Sequence, residues 1–228
     1  MIVITCRGVT RRYVQRGIDP VIAVDSIDLT VETGAIVAIE GPSGSGKTTL
    51  LGLLAGLEAP DEGEIDVLGH DVSRLTAAER ARLRQRRIGI VFQSFGLIAS
   101  LRAGHNVALP LALAGVPERE REARARAALE EVGLGSAFGA RIDELSGGER
   151  QRVGVARALV IEPSVILADE PTGSLDEENA GSVLGLLTDA VRRRGASLVL
   201  VTHDPGSAAR ADHHYLMRDG RLAIGVPA

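Results

Sequence analysis

The sequence contains little cysteine and few aromatic residues, and each scarcity limits the classes of protein to which the chain can belong. It has one cysteine, no tryptophan, two tyrosines and three phenylalanines in 228 residues. A single cysteine cannot form an internal disulfide. We expect Cys6 to be a small buried residue of an early strand. Nothing near it in the sequence would activate it as a nucleophile. A reducing compartment is therefore expected.

The chain also lacks an excess of positive charge and a long hydrophobic segment. Its formal net charge is -4 with acidic and basic residues interspersed, so we expect no nucleic-acid partner. The longest apolar stretch, Val107 to Val116, is too short to span a membrane and contains Pro110 and Gly115. No charged leader followed by a long apolar run is visible, so no signal peptide is expected. We predict a cytoplasmic protein that reaches a membrane only through a partner.

Lysine occurs once, and it lies in a glycine-rich run. The run matches the phosphate-loop pattern G-x-x-x-x-G-K-[ST], in which backbone N–H groups surround a phosphate and the lysine reaches the terminal phosphates. Apart from this lysine, all of the 26 Lys and Arg side chains are arginine. The planar guanidinium of arginine would be too broad for this role. The predicted phosphate-binding residues are Gly41, Pro42, Ser43, Gly44, Ser45, Gly46, Lys47, Thr48 and Thr49. This motif alone leaves kinases, GTPases and many ATPases open.

Hydrophobic periodicity predicts an α/β protein. Predicted strands cover residues 2–8, 27–31, 35–39, 64–68, 165–168, 197–202 and about 213–224, and predicted helices cover 48–57, 76–87, 118–132, 149–160 and 176–194. We expect a phosphate-loop NTPase core with a mostly parallel sheet, an N-terminal antiparallel β subdomain and an inserted helical subdomain. The predicted organisation is one domain over residues 1–228, with 1–92 and 161–228 as the core and about 93–160 as the helical part.

Two carboxylates follow a predicted buried strand, where a parallel sheet presents ligand groups. Asp169 is predicted to hold Mg²⁺ together with the hydroxyl of Thr48. Glu170 is predicted to accept a proton from the water that attacks the γ-phosphate. An ordinary acidic strand end is the alternative for these two residues taken alone.

The run Leu145-Ser146-Gly147-Gly148-Glu149-Arg150-Gln151 resembles the signature sequence of ABC-type ATPases. Physically, it would open a helix whose free N–H groups can meet an anion. The resemblance implies two copies that close head to tail around two ATP molecules. It also implies that the opposite copy's ATP is contacted by Ser146, Gly147, Gly148, Gln151 and Asp176.

The same resemblance assigns roles to further residues. Gln93 matches the glutamine that senses Mg²⁺ and the attacking water, and His203 matches the histidine that touches the γ-phosphate. The implied catalytic residues are thus Glu170, His203, Gln93 and Lys47, and the implied Mg²⁺ ligands are Thr48, Gln93 and Asp169. Tyr13 matches the aromatic residue that stacks on adenine, although a tyrosine in an early strand could equally be partial core.

Further runs within the chain are the phosphate loop, Phe92-Gln93, Asn106-Val107-Ala108-Leu109-Pro110 and Ala168-Asp169-Glu170-Pro171-Thr172-Gly173. In these runs the chain is similar to the lipoprotein-releasing and macrolide-export subgroup of the ABC family. It departs from that subgroup at His105, at Ser174 and at Ala99-Ser100-Leu101. The resemblance implies an ATP-hydrolysing subunit, with ATP and Mg²⁺, that drives a separate membrane permease exporting or extracting a lipid-linked or amphipathic substrate. The alternative is a mechanotransmission ATPase that signals through its membrane partner without transport. A soluble ABC ATPase acting on DNA or ribosomes would bring insertions that this sequence lacks.

An aromatic pair follows the predicted Mg²⁺-sensing glutamine. We hypothesise that Phe95, Leu97 and Ile98 form an apolar groove that receives a short cytoplasmic helix of the permease. Burial of all three in the chain's own core would contradict this hypothesis. Phe92 and Phe95 could instead be core residues.

Overall fold

The structure is a computed structural model that describes residues 1–14 and 20–225. The strands are β1 (Ile2–Tyr13), β2 (Val21–Glu32), β3 (Ile36–Glu40), β4 (Glu62–Val67), β5 (His70–Asp71), β6 (Ile88–Val91), β7 (Val165–Asp169), β8 (Ser197–Thr202), β9 (His213–Arg218) and β10 (Arg221–Ile224). The α-helices are α1 (Lys47–Leu54), α2 (Ala77–Arg87), α3 (Ala103–Leu113), α4 (Glu118–Glu131), α5 (Gly147–Leu159), α6 (Glu177–Arg194) and α7 (Pro205–Ala208). Short 3-10 helices span Gly135–Gly139 and Ile142–Glu144.

The chain divides into two compact units. The first comprises Met1–Arg82 and the residues from Ser197 onward, and the second comprises Leu83–Ala196. This division places β7 and α6 with the helical segment, whereas the sequence boundaries assigned them to the core. The single-domain organisation stays a prediction.

The first unit contains an antiparallel sheet in the order β2-β1-β4-β5. Cys6 lies opposite Leu29 on one side and Ile65 on the other, and all three side chains are buried. Burial raises the pKa of the Cys6 thiol to about 12, with Asp28 adding to the effect. The predicted antiparallel subdomain and the predicted burial of Cys6 are both confirmed.

A second set of strands in this unit leads to the glycine-rich loop. β3 pairs in parallel with β8 and with β9, and β9 pairs with β10 in antiparallel fashion. All six residues of β8 are buried, as are the first four residues of β3, which fits strands covered on both faces. The chain therefore enters the loop after Glu40 from a rigid, buried strand.

The second unit combines helices with a parallel strand pair. β6 and β7 pair in parallel, with Val91 opposite Ala168, so Gln93 follows β6 at the same end at which Asp169 ends β7. α4 buries Ala125, Ala128 and Leu129 and exposes most of its charged residues. No helix within the described ranges is long and apolar enough to cross a membrane.

Candidate functional site

The phosphate loop follows β3, and its backbone demands glycine at two points. A Cβ on Gly46 would lie 2.0 Å from the carbonyl oxygen of Ala23, and its φ is +103°. A Cβ on Gly41 would lie 2.2 Å from the carbonyl oxygen of Met217. Neighbouring backbone thus approaches the loop more closely than any side chain permits. The loop keeps its shape because glycine leaves room for this approach.

Lys47 is the first residue of α1 and is buried although it is charged. Its side chain is 5% exposed, and Nζ donates to the carbonyl oxygens of Gly41 at 2.7 Å and Pro42 at 2.9 Å. The loop therefore holds the ammonium beside its own backbone. A cation in this position can meet a phosphate held by the loop.

The start of α1 suits an anionic ligand. Gly46 caps the helix without a side-chain hydrogen bond, and the first turn contains no acidic residue. The buried hydroxyl oxygen of Ser45 has no hydrogen-bond partner within residues 1–14 and 20–225. An unpaired buried hydroxyl is costly, and a phosphate oxygen would satisfy it. The residues present therefore fit a nucleotide phosphate.

The other predicted phosphate-loop residues are accessible or partly so. Pro42, Ser43, Gly44 and Thr48 are exposed, and Thr49 is half-buried. The hydroxyl of Thr48 is the type of ligand that accompanies Mg²⁺ in this motif.

Tyr13 and His203 also belong to the first unit. Tyr13 ends β1, is 40% exposed, and its hydroxyl donates to both carboxylate oxygens of Glu58, at 3.0 and 2.9 Å. Tyr13 is therefore not enclosed in the core, and its stacking on adenine stays a prediction. His203 is exposed directly after β8, and Asp204 caps α7 by accepting from the backbone of Gly206 and Ser207. Both predicted ligand-contacting side chains are thus placed at strand ends.

In the second unit, Glu170 follows the last residue of β7 in an unusual backbone conformation. Its φ is +41°, a left-handed value that a non-glycine residue adopts at a cost of about 1–3 kcal/mol. Gln93 Nε2 donates to Glu170 Oε2 at 3.3 Å. A Cβ on Gly173 would lie 3.2 Å from that same oxygen. The structure therefore brings together the predicted proton acceptor and the predicted water-sensing amide, although 77 positions separate them in sequence.

The predicted Mg²⁺ ligands offer only oxygen donors. They are the hydroxyl of Thr48, the side-chain amide oxygen of Gln93 and the carboxylate of Asp169 at the end of β7. Mg²⁺ prefers such hard ligands, and it commonly uses one or two carboxylates together with substrate phosphates. The donor set fits this ion.

Ser146 caps α5, as the sequence motif predicts. Its Oγ accepts from Glu149 N at 3.2 Å, and its N–H donates to Glu149 Oε2 at 2.8 Å, so the two residues form a capping box. These hydrogen bonds hold the pKa of Glu149 below its ordinary value, and the backbone N–H of Ser146 is the main cause. Ser146 is exposed and Gly147 half-buried, so this end of α5 is accessible.

Two residues predicted to contact a second copy's ATP lie in the interior. Gln151 is 0% exposed, and its Nε2 donates to the carbonyl oxygen of Phe92 at 3.3 Å. Gln151 is thus enclosed by its own chain, and its contact with the second copy's ATP stays a prediction. Gly148 is also buried, and a Cβ there would lie 2.5 Å from Asn179 Oδ1. Gly148 therefore serves the close approach of α5 to α6.

Asp176 caps the N-terminus of α6. Its carboxylate accepts from Asn179 N at 3.0 Å and from Asn179 Nδ2 at 2.7 Å. Those hydrogen bonds, with the backbone donor first, lower the pKa of Asp176. The side chain is exposed, so the cap leaves it accessible.

The loop after Gln93 is held by a residue that sequence reasoning missed. Arg157 of α5 donates through Nη2 to the carbonyl oxygen of Phe95 at 3.0 Å and through Nη1 to Gly96, and its guanidinium lies 5.9 Å from the Phe92 ring centroid. Burial lowers its pKa. The available signal was its position among the apolar residues of α5, where a charged side chain needs polar partners. Phe95 and Gly96 both have positive φ, of 63° and 60°, so this loop turns sharply.

Comparison with known proteins agrees with these features. The ABC transporter family model matches residues 24–173. The lipoprotein-releasing system ATP-binding protein LolD of Chromohalobacter salexigens is 44% identical over 222 residues, which is 97% of this chain and 93% of that protein. The macrolide export ATP-binding/permease protein MacB 1 of Aeromonas hydrophila is 47% identical over 212 residues, which is 93% of this chain and 33% of that protein.

A solved structure gives the same result for the fold. It is a dimeric ATP-binding cassette in a post-hydrolysis state, bound to ADP and Pi. It superposes with a TM-score of 0.89 and 34% identity, covering 97% of this chain and 98% of that one. The chain has the fold of an ATP-binding cassette, which confirms the predicted fold class. It belongs to the ABC transporter family, and the predicted resemblance to the lipoprotein-releasing and macrolide-export proteins and the predicted ATPase class are confirmed.

Proposed function

We propose that this chain is the ATP-binding and ATP-hydrolysing subunit of a transporter, and that it drives a separate membrane permease. The similarity to LolD, a lipoprotein-releasing system ATP-binding protein whose length the chain nearly spans, supports this proposal. MacB 1 carries ATP-binding and permease functions in one chain, and this chain spans about a third of it. We propose export or extraction of a lipid-linked or amphipathic substrate, at the inner face of the cell membrane.

The residues of the phosphate loop would bind the nucleotide. Lys47 would exchange loop carbonyls for the terminal phosphates, and the Ser45 hydroxyl would gain the partner it lacks. Tyr13 would stack on adenine, and His203 would hydrogen-bond to the γ-phosphate. Mg²⁺, held by Thr48, Asp169 and Gln93, would neutralise charge on the phosphates.

Glu170 would do the proton chemistry. Water attacks the γ-phosphorus as the bond to the bridging oxygen of ADP breaks, and Glu170 accepts the proton that the water loses. Gln93 would orient that water, because its amide lies 3.3 Å from the carboxylate. The hydrogen bond between Gln93 and Glu170, whose backbone is in the left-handed region, is the observation that carries the proposal of ATP hydrolysis. Strain of this kind persists where function requires a side chain to be held in place.

Two copies would be needed for turnover. The accessible N-terminus of α5, with Ser146 and Gly147, would contact the γ-phosphate bound to a second copy, and the exposed Asp176 would approach the same nucleotide. The dimeric ADP-bound and Pi-bound cassette to which the chain is similar supports this assembly.

The loop after Gln93 would dock the permease. Ile98 is 43% exposed and Phe92 39%, while Phe95 and Leu97 are half-buried, so none of the three hypothesised groove residues is enclosed in the core. We propose that these side chains receive a short cytoplasmic helix of the permease. Nucleotide state sensed at Gln93 would then reach the membrane partner directly.

The first test is hydrolysis by the purified chain. Lys47→Ala should abolish ATP binding and turnover, because the phosphates lose their main cation. Turnover that persists in Lys47→Ala would contradict the phosphate-loop assignment. The second test is isolation of the membrane protein that co-purifies, followed by a transport assay of the reconstituted pair. ATP hydrolysis without substrate movement would replace transport with signalling through the membrane partner.

A further inference from the structure

A group of charged residues surrounds Tyr13 in the first unit. The guanidinium carbon of Arg11 lies 5.0 Å from the Tyr13 ring centroid, within the range of a cation–π contact. Arg11 Nη2 lies 3.0 Å from Glu58 Oε2, the carboxylate that also accepts the Tyr13 hydroxyl. The Glu58 carboxylate therefore interacts both with the Tyr13 hydroxyl and with the Arg11 guanidinium that lies over the Tyr13 ring.

The segment that carries Glu58 is itself tied to β1. Asp61 N donates to the carbonyl oxygen of Thr10 at 2.9 Å, and Arg12 N donates to Asp61 Oδ2 at 2.6 Å. Arg11 Nη1 also pairs with Asp61 Oδ1 at 3.0 Å. Glu58 thus sits on a segment held by backbone and side-chain hydrogen bonds, so it can act as a fixed anchor.

We propose that Glu58 and Arg11 are positioning residues that hold the Tyr13 ring in place as the stacking platform for the nucleotide base. The inference rests on the proposed function, in which Tyr13 stacks on adenine. Arg11 covers one face of the ring, and the base stacks on the other. The cation and the carboxylate fix both the tilt of the ring and the place of its hydroxyl before the nucleotide arrives. A platform held in this way loses less side-chain freedom on binding.

This arrangement differs from a purely structural ion cluster in what it affects. A structural cluster would stabilise the fold and change the binding of base and triphosphate alike. A positioned platform changes only the contribution of the base. The Kd for ATP compared with the Kd for tripolyphosphate, which has no base, separates the two roles.

The experiment measures both Kd values by calorimetry in EDTA, where no hydrolysis occurs. Tyr13→Ala should weaken ATP binding about tenfold, because stacking of one base contributes about that much. Glu58→Ala should weaken it about threefold, with tripolyphosphate binding unchanged, and should have no further effect when combined with Tyr13→Ala. The matched control is Glu62→Ala, which removes a carboxylate paired with Arg12 at 2.6 Å and should leave both Kd values unchanged.

A second readout needs no nucleotide. The chain has no tryptophan and two tyrosines, so in a Tyr215→Phe background the emission comes from Tyr13 alone. Glu58→Ala should lower the anisotropy of that emission, because the freed ring moves on the nanosecond timescale. Glu62→Ala should leave the anisotropy unchanged.

Each contrary result has a definite meaning. If Tyr13→Ala leaves ATP affinity unchanged, the stacking role fails and this inference fails with it. If Tyr13→Ala weakens ATP binding but Glu58→Ala does not, only the positioning role is overturned. Equal loss of ATP and tripolyphosphate affinity in Glu58→Ala would assign the cluster to structure alone.

Discussion

Glu170→Gln is the substitution that tests the proposed chemistry most directly. It removes a proton acceptor and changes little else, because an amide oxygen can still accept the hydrogen bond from Gln93 Nε2 that is now 3.3 Å long. The backbone cost of φ +41° is the same for both side chains. Nucleotide binding and the local fold should therefore survive.

The rate of ATP hydrolysis, by contrast, should fall. General-base catalysis contributes about 10²–10⁴-fold, which corresponds to about 3–5 kcal/mol in the activation free energy. We expect phosphate release to fall by at least a hundredfold while the Kd for ATP stays within about threefold. Because ATP is then bound but not consumed, size-exclusion chromatography with ATP and Mg²⁺ should show a stable dimer.

The matched control is Glu118→Gln. Glu118 is a carboxylate at the start of α4 whose side chain is 74% exposed, and its substitution should change neither turnover nor elution. Unchanged turnover in Glu170→Gln would refute the assignment of the proton acceptor. A hundredfold loss of turnover without an ATP-dependent dimer would leave the base assigned but would contradict the two-copy mechanism.

Two further substitutions test contacts that hold the second unit's functional segments. Arg157→Met should lower the free energy of unfolding by about 1–3 kcal/mol, because the carbonyl groups of Phe95 and Gly96 lose a charged donor. Urea unfolding measures this change, and the control is Arg86→Met, because Arg86 is exposed. An equal midpoint for both variants would contradict a role in holding the loop. The depressed pKa of Asp176 means that its cap is at full strength above its ordinary pKa of about 4 and is lost as the pH falls through the lower folded value. Asp176→Ala should therefore be less stable than the parent at pH 7, and the difference should disappear in acid; a difference independent of pH would refute this account.

Features that depend on neighbours in sequence could be predicted. The phosphate loop is built from consecutive backbone groups, so its glycines and Lys47 identify it without any tertiary contact. Ser146 with Glu149 forms a capping box across three residues, and Asp176 caps α6 in the same local way. The predicted helices lie close to the observed bounds for the same reason, whereas β1 and β2 extend beyond their predicted ranges and β6 and α3 were not predicted.

Features that depend on distant residues could not be predicted. Gln151 looked like part of an accessible signature motif, but its position on α5 directs it inward, where it meets Phe92 across 59 positions. Arg157 holds a loop 62 positions away, and Glu58 accepts the Tyr13 hydroxyl across 45 positions. Sequence periodicity describes which face of a helix is apolar, but it does not say which distant carbonyl or carboxylate lies opposite.

The amino-acid sequence by itself therefore determined that the chain binds phosphate. A phosphate loop and helix caps are formed by residues that are close in sequence, so their residue types and spacing are enough to identify them. Tertiary structure alone decided which side chains are accessible and how the reactive ones are held. It turned Gln151 inward, set Gln93 beside Glu170, and placed Glu58 and Arg11 around the Tyr13 ring. These contacts join separate strands, loops and helices, and packing of the whole chain is what brings such partners within hydrogen-bonding distance.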